Sequence, residues 1–290
     1  MGKLIRAITS DGAVLCAAVD STDMTARAEQ IHESSAVVTA AMGRLMTAAS
    51  MMGAAMKYDG DSITLRVAGG GPVGSIIAVS DSEGNARVTV TNPVVELPLN
   101  DKGKLDVGAA VGTDGSLSVI RDMGMDSEPQ TGHSPLVTGE IGDDLTYYFA
   151  NSEQIPSVCA LGVLVNPDLT AAASGGYLLQ LLPGADDETI DKIEQNLAKA
   201  KPISSMIRDG YTPLKVLQTV LEGFEIEVID EHDVEYRCDC SKERVERALI
   251  SLGKDELLKL ADEQPVINVS CHFCDKSYDF TPDDIREMIK

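Results

Sequence analysis

Four of the six cysteines lie within 37 residues, as Cys238-x-Cys240, thirty intervening residues, and Cys271-x-x-Cys274. Zinc takes four soft donors at the corners of a tetrahedron, and thiolates are its preferred structural ligands. A CxxC followed by a turn presents two thiolates to one point. CHFCDKSY has that form, with strand-forming residues on both sides. The pattern predicts one zinc ion held by Cys238, Cys240, Cys271 and Cys274. Four thiolates leave no open coordination position, so such a site is structural or regulatory rather than hydrolytic.

The first pair differs from the CxxC usual in a zinc ribbon. Cysteines one residue apart form only a strained disulfide, which should be easily reduced. Such a pair makes a poor permanent staple and a plausible switch. Arg237 and Lys242 flank it and favour thiolate, whereas Asp239 opposes. Oxidation to two local disulfides would eject the metal and remove its folding energy, on the order of 10 kcal/mol in small zinc units. His272, inside the CxxC, is expected to face solvent or support the site rather than ligate. Cys16 and Cys159 sit in apolar runs and read as small buried hydrophobes. His32, His133 and His232 have no partner pattern that suggests catalysis, and no Ser-His-Asp or nucleotide motif stands out, so the protein is not expected to be an enzyme.

The elements around the cysteines are legible. Ser241 caps a helix KERVERALISL that ends at Gly253, and DELLKLADE makes another. VINVSC is a strand running into CHFC, and KSYDF returns from it. Thr281-Pro282 opens a terminal helix with Asp283 and Asp284 suited to its dipole. Residues 236–290 thus read as a small zinc-binding domain whose core is too slight to fold easily without metal. Residues 186–235 read as a helical linker. DDETIDKIEQNLAKAKP is an amphipathic helix with Ile190, Ile193 and Leu197 on one face, ended before Pro202. A second helix starts at Thr212-Pro213 and stops at Gly223. EIEVIDEHDVEY, which follows, is acidic and carries few large apolar residues. This segment has a thin apolar footing, and Gly210→Ala should stabilise it if Gly210 is helical.

Residues 1–185 read as one large sheet-plus-helix domain, giving an α+β protein overall. ITLRVAG (63–69) and ARVTVTN (86–92) alternate as half-buried strands do. Asn100–Lys104 and Thr113–Ser116 are expected to punctuate a further strand-like region. Gly69-Gly70-Gly71-Pro72 leads into SIIAVS, a strand and not a helix N-terminus, which argues against a phosphate loop. Residues 36–56 are long and apolar enough to invite a membrane reading. Arg44 near their centre would cost about 3 kcal/mol on insertion, so a buried central helix is expected. The start of the chain has an apolar run only over Ala13–Val19, behind Asp11, and no secretory signal is expected. The formal charge of −22 and the lack of a basic cluster disfavour nucleic acid and anionic membrane as partners. A cytosolic setting, where thiols stay reduced, follows as the expectation.

With these residues on the page, the chain resembles the heat-shock protein 33 family of redox-regulated chaperones. The likeness lies in both cysteine pairs and in GGGPVG (69–74), VGTDGSLSVIRDMG (111–124), DDLTYYF and SEQIPS (152–157). It continues in GGYLLQLLPGADDETI (175–190) and CSKERVERAL (240–249), nearly the whole length in order. ARVTVTNP (86–93) is looser than the family's usual wording. The resemblance implies an ATP-independent holdase, inactive while reduced and zinc-bound, with one zinc per chain. It implies that peroxide with heat, or hypochlorous acid, oxidises Cys271–Cys274 first. The zinc is then lost and the linker loosens, after which a Cys238–Cys240 disulfide locks it open. The implied partners are unfolded or aggregation-prone client proteins, with a homodimer in the active form. Two other classes compete: a thiol-disulfide oxidoreductase built on the CxxC, which insulin reduction would reveal, and a zinc-ribbon module for nucleic acid or a protein partner, which salt-dependent DNA binding would reveal.

Overall fold

The computed structural model describes residues 2–124 and 127–288. They fall into two units, Met1–Arg237 and Cys238–Lys290. In chain order the first unit runs β1 (Gly2–Thr9), β2 (Val14–Asp20), α1 (Thr22–His32), α2 (Ala36–Gly53), β3 (Ser62–Ala68), β4 (Ser75–Asp81), β5 (Ala86–Val90), α3 (Val107–Val111), β6 (Ser116–Asp122), β7 (Gln130–Pro135) and α4 (Gly142–Tyr148). A π-turn over Phe149–Glu153 follows. Then come β8 (Ser157–Val165), β9 (Ala171–Leu181), α5 (Asp187–Lys199), α6 (Ile203–Arg208), α7 (Pro213–Val220) and β10 (Ile226–Val234). The second unit has α8 (Lys242–Ile250), α9 (Lys254–Glu263), β11 (Ile267–Ser270), β12 (Ser277–Phe280) and α10 (Pro282–Met288). The chain is α+β, as its alternating and helical periods predict.

Two five-stranded antiparallel sheets build the first unit, in the orders β10-β1-β2-β9-β8 and β5-β4-β3-β6-β7. Helix α2 lies between them, packing on β8 and β9 of one and on β3, β4 and β5 of the other. Every residue of α2 except Ala36 and Arg44 is buried. No helix is long and apolar enough to cross a membrane among the described residues. Arg44 reaches the rim, where its guanidinium pairs with the Glu140 carboxylate and donates to the Glu140 carbonyl at 3.1 Å. Beside α2 the hydroxyls of Ser21, Thr25, Thr47 and Ser174 bond one another at 2.6–2.9 Å, so polar atoms that water cannot reach are still satisfied.

The opposite face of the first sheet carries a separate core. Ile5, Val14, Cys16, Tyr177 and Leu179 meet Ile193, Met206, Ile207, Val216, Leu217 and Val220 from α5, α6 and α7. Helices α5 to α7, residues 187–220, therefore form a covering layer over an apolar sheet face. Helix α5 contributes one buried residue, Ile193, which matches its narrow apolar stripe. The cap read from sequence at Thr212 is made, its hydroxyl accepting from the Lys215 amide at 3.2 Å, and Asp186 caps α5 by accepting from the Thr189 amide at 2.8 Å. The acidic EIEVIDEHDV stretch becomes β10, an edge strand paired antiparallel with β1, where Lys3 meets Glu231 and Asp233 and Arg6 meets Asp230.

Residues 226–234, expected as part of a helical linker, are instead a strand because they pair along β1, and two further details depart from the sequence expectations. Between the turns at 100–104 and 113–116 the chain first forms a short helix, α3, because Asp106 caps it by accepting from the Ala109 amide at 2.9 Å; the strand β6 follows. The Gly69–Gly71 run packs against that helix: Gly71 and Val73 amides donate to the Val111 and Ala110 carbonyls, and a Cβ on Gly69 would fall 2.2 Å from the Gly112 carbonyl oxygen. Gly210 is not helical. Its φ of +84° is left-handed, so Gly210→Ala is strained. We expect that substitution to lower stability by roughly 1–2 kcal/mol rather than raise it. Leu217→Ala should cost about 2–5 kcal/mol at the covering layer. Hydrogen exchange checks both: residues 187–220 should lose protection while 36–53 keep theirs.

Candidate metal centre

Cys238 and Cys240 lie in the extended chain that leads into α8, where the Ser241 hydroxyl accepts the Arg244 amide at 3.3 Å. Cys271 and Cys274 occupy the turn between β11 and β12, whose register sets Ser270 opposite Ser277. The Cys271 amide donates to the Lys276 carbonyl at 3.0 Å and the Cys274 amide to the Cys271 carbonyl at 3.3 Å, which folds the turn into a knuckle. Beneath it sits a small core of Leu249, Leu257, Ala261, Ile267, Phe280 and Ile285.

The four sulfur atoms all lie within 4.8 Å of one another. Cys238 Sγ is 3.7 Å from Cys271 Sγ, and Cys240 Sγ is 3.4 Å from Cys274 Sγ. A zinc ion 2.3 Å from four sulfurs requires edges of about 3.8 Å, so the donor set fits a tetrahedral thiophilic ion with little adjustment. All six cysteines are free. His272 is exposed and no histidine joins the cluster among the described residues. Cys16, which donates to the Ala7 carbonyl, and Cys159 lie elsewhere in buried sites, and burial pushes each thiol up to about 12. His32 and His133 are held by the Val88 carbonyl and the Ser118 hydroxyl, and His232 by Asp230.

Electrostatically the cluster is unequal. Burial, then the neighbouring Cys271, pushes the Cys238 thiol well above its ordinary range. Burial with Cys240 and Cys271 beside it raises Cys274 to about 11. Cys240 is lowered; burial opposes this, but hydrogen bonds led by that of the Tyr278 hydroxyl outweigh it. Four thiolates so close cannot all ionise without a cation among them. The charged neighbours read from sequence are engaged elsewhere. Arg237 pairs with Glu83 at 2.8 Å and Glu235 at 3.1 Å, Lys242 sits 5.0 Å from the Phe280 ring centre, and Asp239 faces Arg244 at 3.7 Å. The residue that sequence reasoning missed is Tyr278. From β12 its hydroxyl donates to the Cys240 carbonyl at 2.9 Å and lies 3.2 Å from Cys240 Sγ, tying the first cysteine pair to the hairpin that bears the second. The period of KSYDF places Tyr278 and Phe280 on one face of the strand, but nothing in it marks a tyrosine for this role.

The family model described as Hsp33 protein matches residues 2–281. The chain is 47% identical over 288 residues to the 33 kDa chaperonin of Bacillus licheniformis, covering 99% of each protein. It is 46% identical over 288 residues to that of Bacillus subtilis, covering 99% of this chain and 98% of the relative. Among solved structures it matches the 33 kDa chaperonin (heat shock protein 33 homolog) of Thermotoga maritima, with a TM-score of 0.89 and 34% identity over 99% of this chain and 97% of the other.

The reduced chain should carry one zinc ion, and elemental analysis finding none would refute the assignment. Cys271→Ser should abolish tight binding. Tyr278→Phe should weaken it about ten- to a hundredfold, as removal of a ligand's supporting hydrogen bond does, measured by chelator competition. Affinity should fall as pH falls, because protons compete for the same thiolates.

Proposed function

The chain belongs to the Hsp33 family, and from that premise we propose that it is a redox-regulated, ATP-independent holdase of the cytosol rather than an enzyme. The observation that carries the proposal is the cluster of four free thiols, close enough to share one ion and poised to oxidise. When bound, zinc would offset two of the four thiolate charges and cross-link the two cysteine pairs. In the reduced protein this keeps residues 238–288 folded over their small core and the protein inactive.

Peroxide removes two electrons from Cys271 and Cys274, joining them as a disulfide while the peroxide becomes water. An ion held by the four sulfurs would thereby lose two donors and leave. Cys238 and Cys240 then oxidise in the same way, and with the cross-link gone the segment that carries the covering helices α5 to α7 loosens. Their undocking bares the apolar face of Ile5, Val14, Tyr177 and Leu179, which then holds segments of unfolding client proteins. The core around α2 is larger and stays folded. Two exposed faces of this kind favour a homodimer in the active form.

A single experiment tests the chain of events: zinc content, disulfide map and suppression of aggregation of a model unfolded protein, with and without peroxide. Oxidation should release zinc, yield Cys238–Cys240 and Cys271–Cys274, and switch on suppression. Exchange protection should be lost over 186–234 and kept over 36–53. The nearest sulfurs in the reduced cluster run across the pairs, Cys238 to Cys271 and Cys240 to Cys274. Disulfides of that crossed pattern in active protein would contradict the local-pair mechanism, and a fully protected 186–234 segment would contradict the undocking.

A further inference from the structure

β10 ends at Val234, yet the chain does not leave the first unit there. Residues 235–237 cross to the other sheet and pair with the hairpin between β4 and β5. The Ala86 amide donates to the Glu235 carbonyl and the Arg237 amide to the Ala86 carbonyl, each at 3.1 Å, forming a parallel bridge between Ala86 and Tyr236. The Glu235 amide donates to Asn85 Oδ1 at 3.1 Å. The Tyr236 hydroxyl donates to the Val88 carbonyl at 3.1 Å and accepts the Val88 amide at 3.4 Å. Arg237 sets its guanidinium among Glu83 at 2.8 Å, Glu235 at 3.1 Å and Asp81 at 3.6 Å.

The hairpin has hydrogen bonds of its own. Asp81 Oδ1 accepts the amides of Glu83 and Asn85 at 3.0 and 2.9 Å. The Asn85 side-chain nitrogen donates to Asp81 Oδ2 and Glu83 Oε2, both at 3.1 Å. That fixes which way the amide points and leaves Oδ1 to accept from Glu235. The common product of these bonds is a site that accepts three residues of this chain, and the next residue after those three is Cys238.

We propose that the Asp81–Val88 hairpin is a latch whose partner is the strap Glu235–Arg237. It holds the strand β10 and the covering helices in place from their C-terminal end, and it is the point at which a change at Cys238 reaches the first unit. The inference rests on the redox reading above, but its first test does not. The latch pairs polar atoms with a specific hairpin, whereas the helices are held by apolar contacts. Releasing it leaves β10 attached only by its ladder to β1, as a strand at a sheet edge, and the helices before it without a fixed end.

Two variants of the reduced, zinc-loaded full chain test this. Glu83→Gln removes one exposed partner of Arg237 and should speed exchange of peptides spanning 226–237 roughly two- to fivefold. Tyr236→Phe removes a half-buried hydroxyl with two bonds and should speed it about tenfold. The peroxide dose for half-maximal aggregation suppression should fall in the same order. Unchanged exchange in Tyr236→Phe would overturn the latch, as would faster exchange at an unchanged peroxide dose. Zinc content is measured beside each. If Tyr236→Phe carries less zinc than the parent, Glu83→Gln, remote in sequence from the ligands, decides: zinc at the parent level with faster exchange supports the latch, and loss of zinc there overturns it. Failure of the parent to suppress aggregation when oxidised would sink the redox reading instead, while the exchange results would still show whether the hairpin holds the strap.

Discussion

Four thiolates held within 4.8 Å of one another repel, and they can all be ionised there only if something positive lies among them. Residues 238–288 have few other means of support. Six buried apolar residues make their core, which is small for a unit of this length. On the function proposed above, an ion shared by the cluster is the main support of the unit, and chemistry at sulfur and folding of the unit are then one equilibrium seen from two sides. Tyr278 sharpens the coupling, since its hydroxyl holds Cys240 to the hairpin bearing Cys271 and Cys274 only while β11 and β12 remain paired.

The first unit divides its stability unevenly. Around α2 the two sheets enclose a large core on both sides of one apolar helix. On the far face of the first sheet, three short helices and an acidic edge strand make a second, smaller core. The inner core holds far more buried residues than the outer one, which is why the proposed opening begins at the outer layer. The ionic contacts of β10 do not alter that order: the Lys3, Glu231 and Asp233 side chains are about half exposed and screened by water.

What the sequence made legible follows from how local each signal is. The cysteines are near neighbours within each pair, so their spacing was enough to name the four sulfurs that lie together. The caps at Thr212 and Ser241 each satisfy an amide three residues on, and were read correctly for the same reason. Helix α3 escaped because VGAAV favours a strand by composition. Its carbonyls are claimed by Gly71 and Val73, some forty residues earlier, a partnership no local pattern shows. Helix α6 escaped because six residues are too few to establish a period; its burial against β8 and β9 decides it. Tyr278 and the engagement of Arg237 by Glu83 are likewise facts of distance in space between residues distant in sequence.

The absence of tryptophan has a chemical corollary. Methionine fills the space, with Met24, Met42, Met46 and Met51 in the inner core and Met206 beneath the covering layer, all 1% exposed or less. Thioethers react with peroxide only where the oxidant reaches them, and sulfoxide is polar enough to resist reburial. In an oxidising solution Met206 is shielded by the outer layer alone, and the four others by the sheets themselves. Sulfoxide at Met206 therefore records that the layer has lifted. Sulfoxide at Met42 or Met46 records that the sheets have parted. The molecule carries its own chronology of damage, written at sulfur atoms that take no part in the switch.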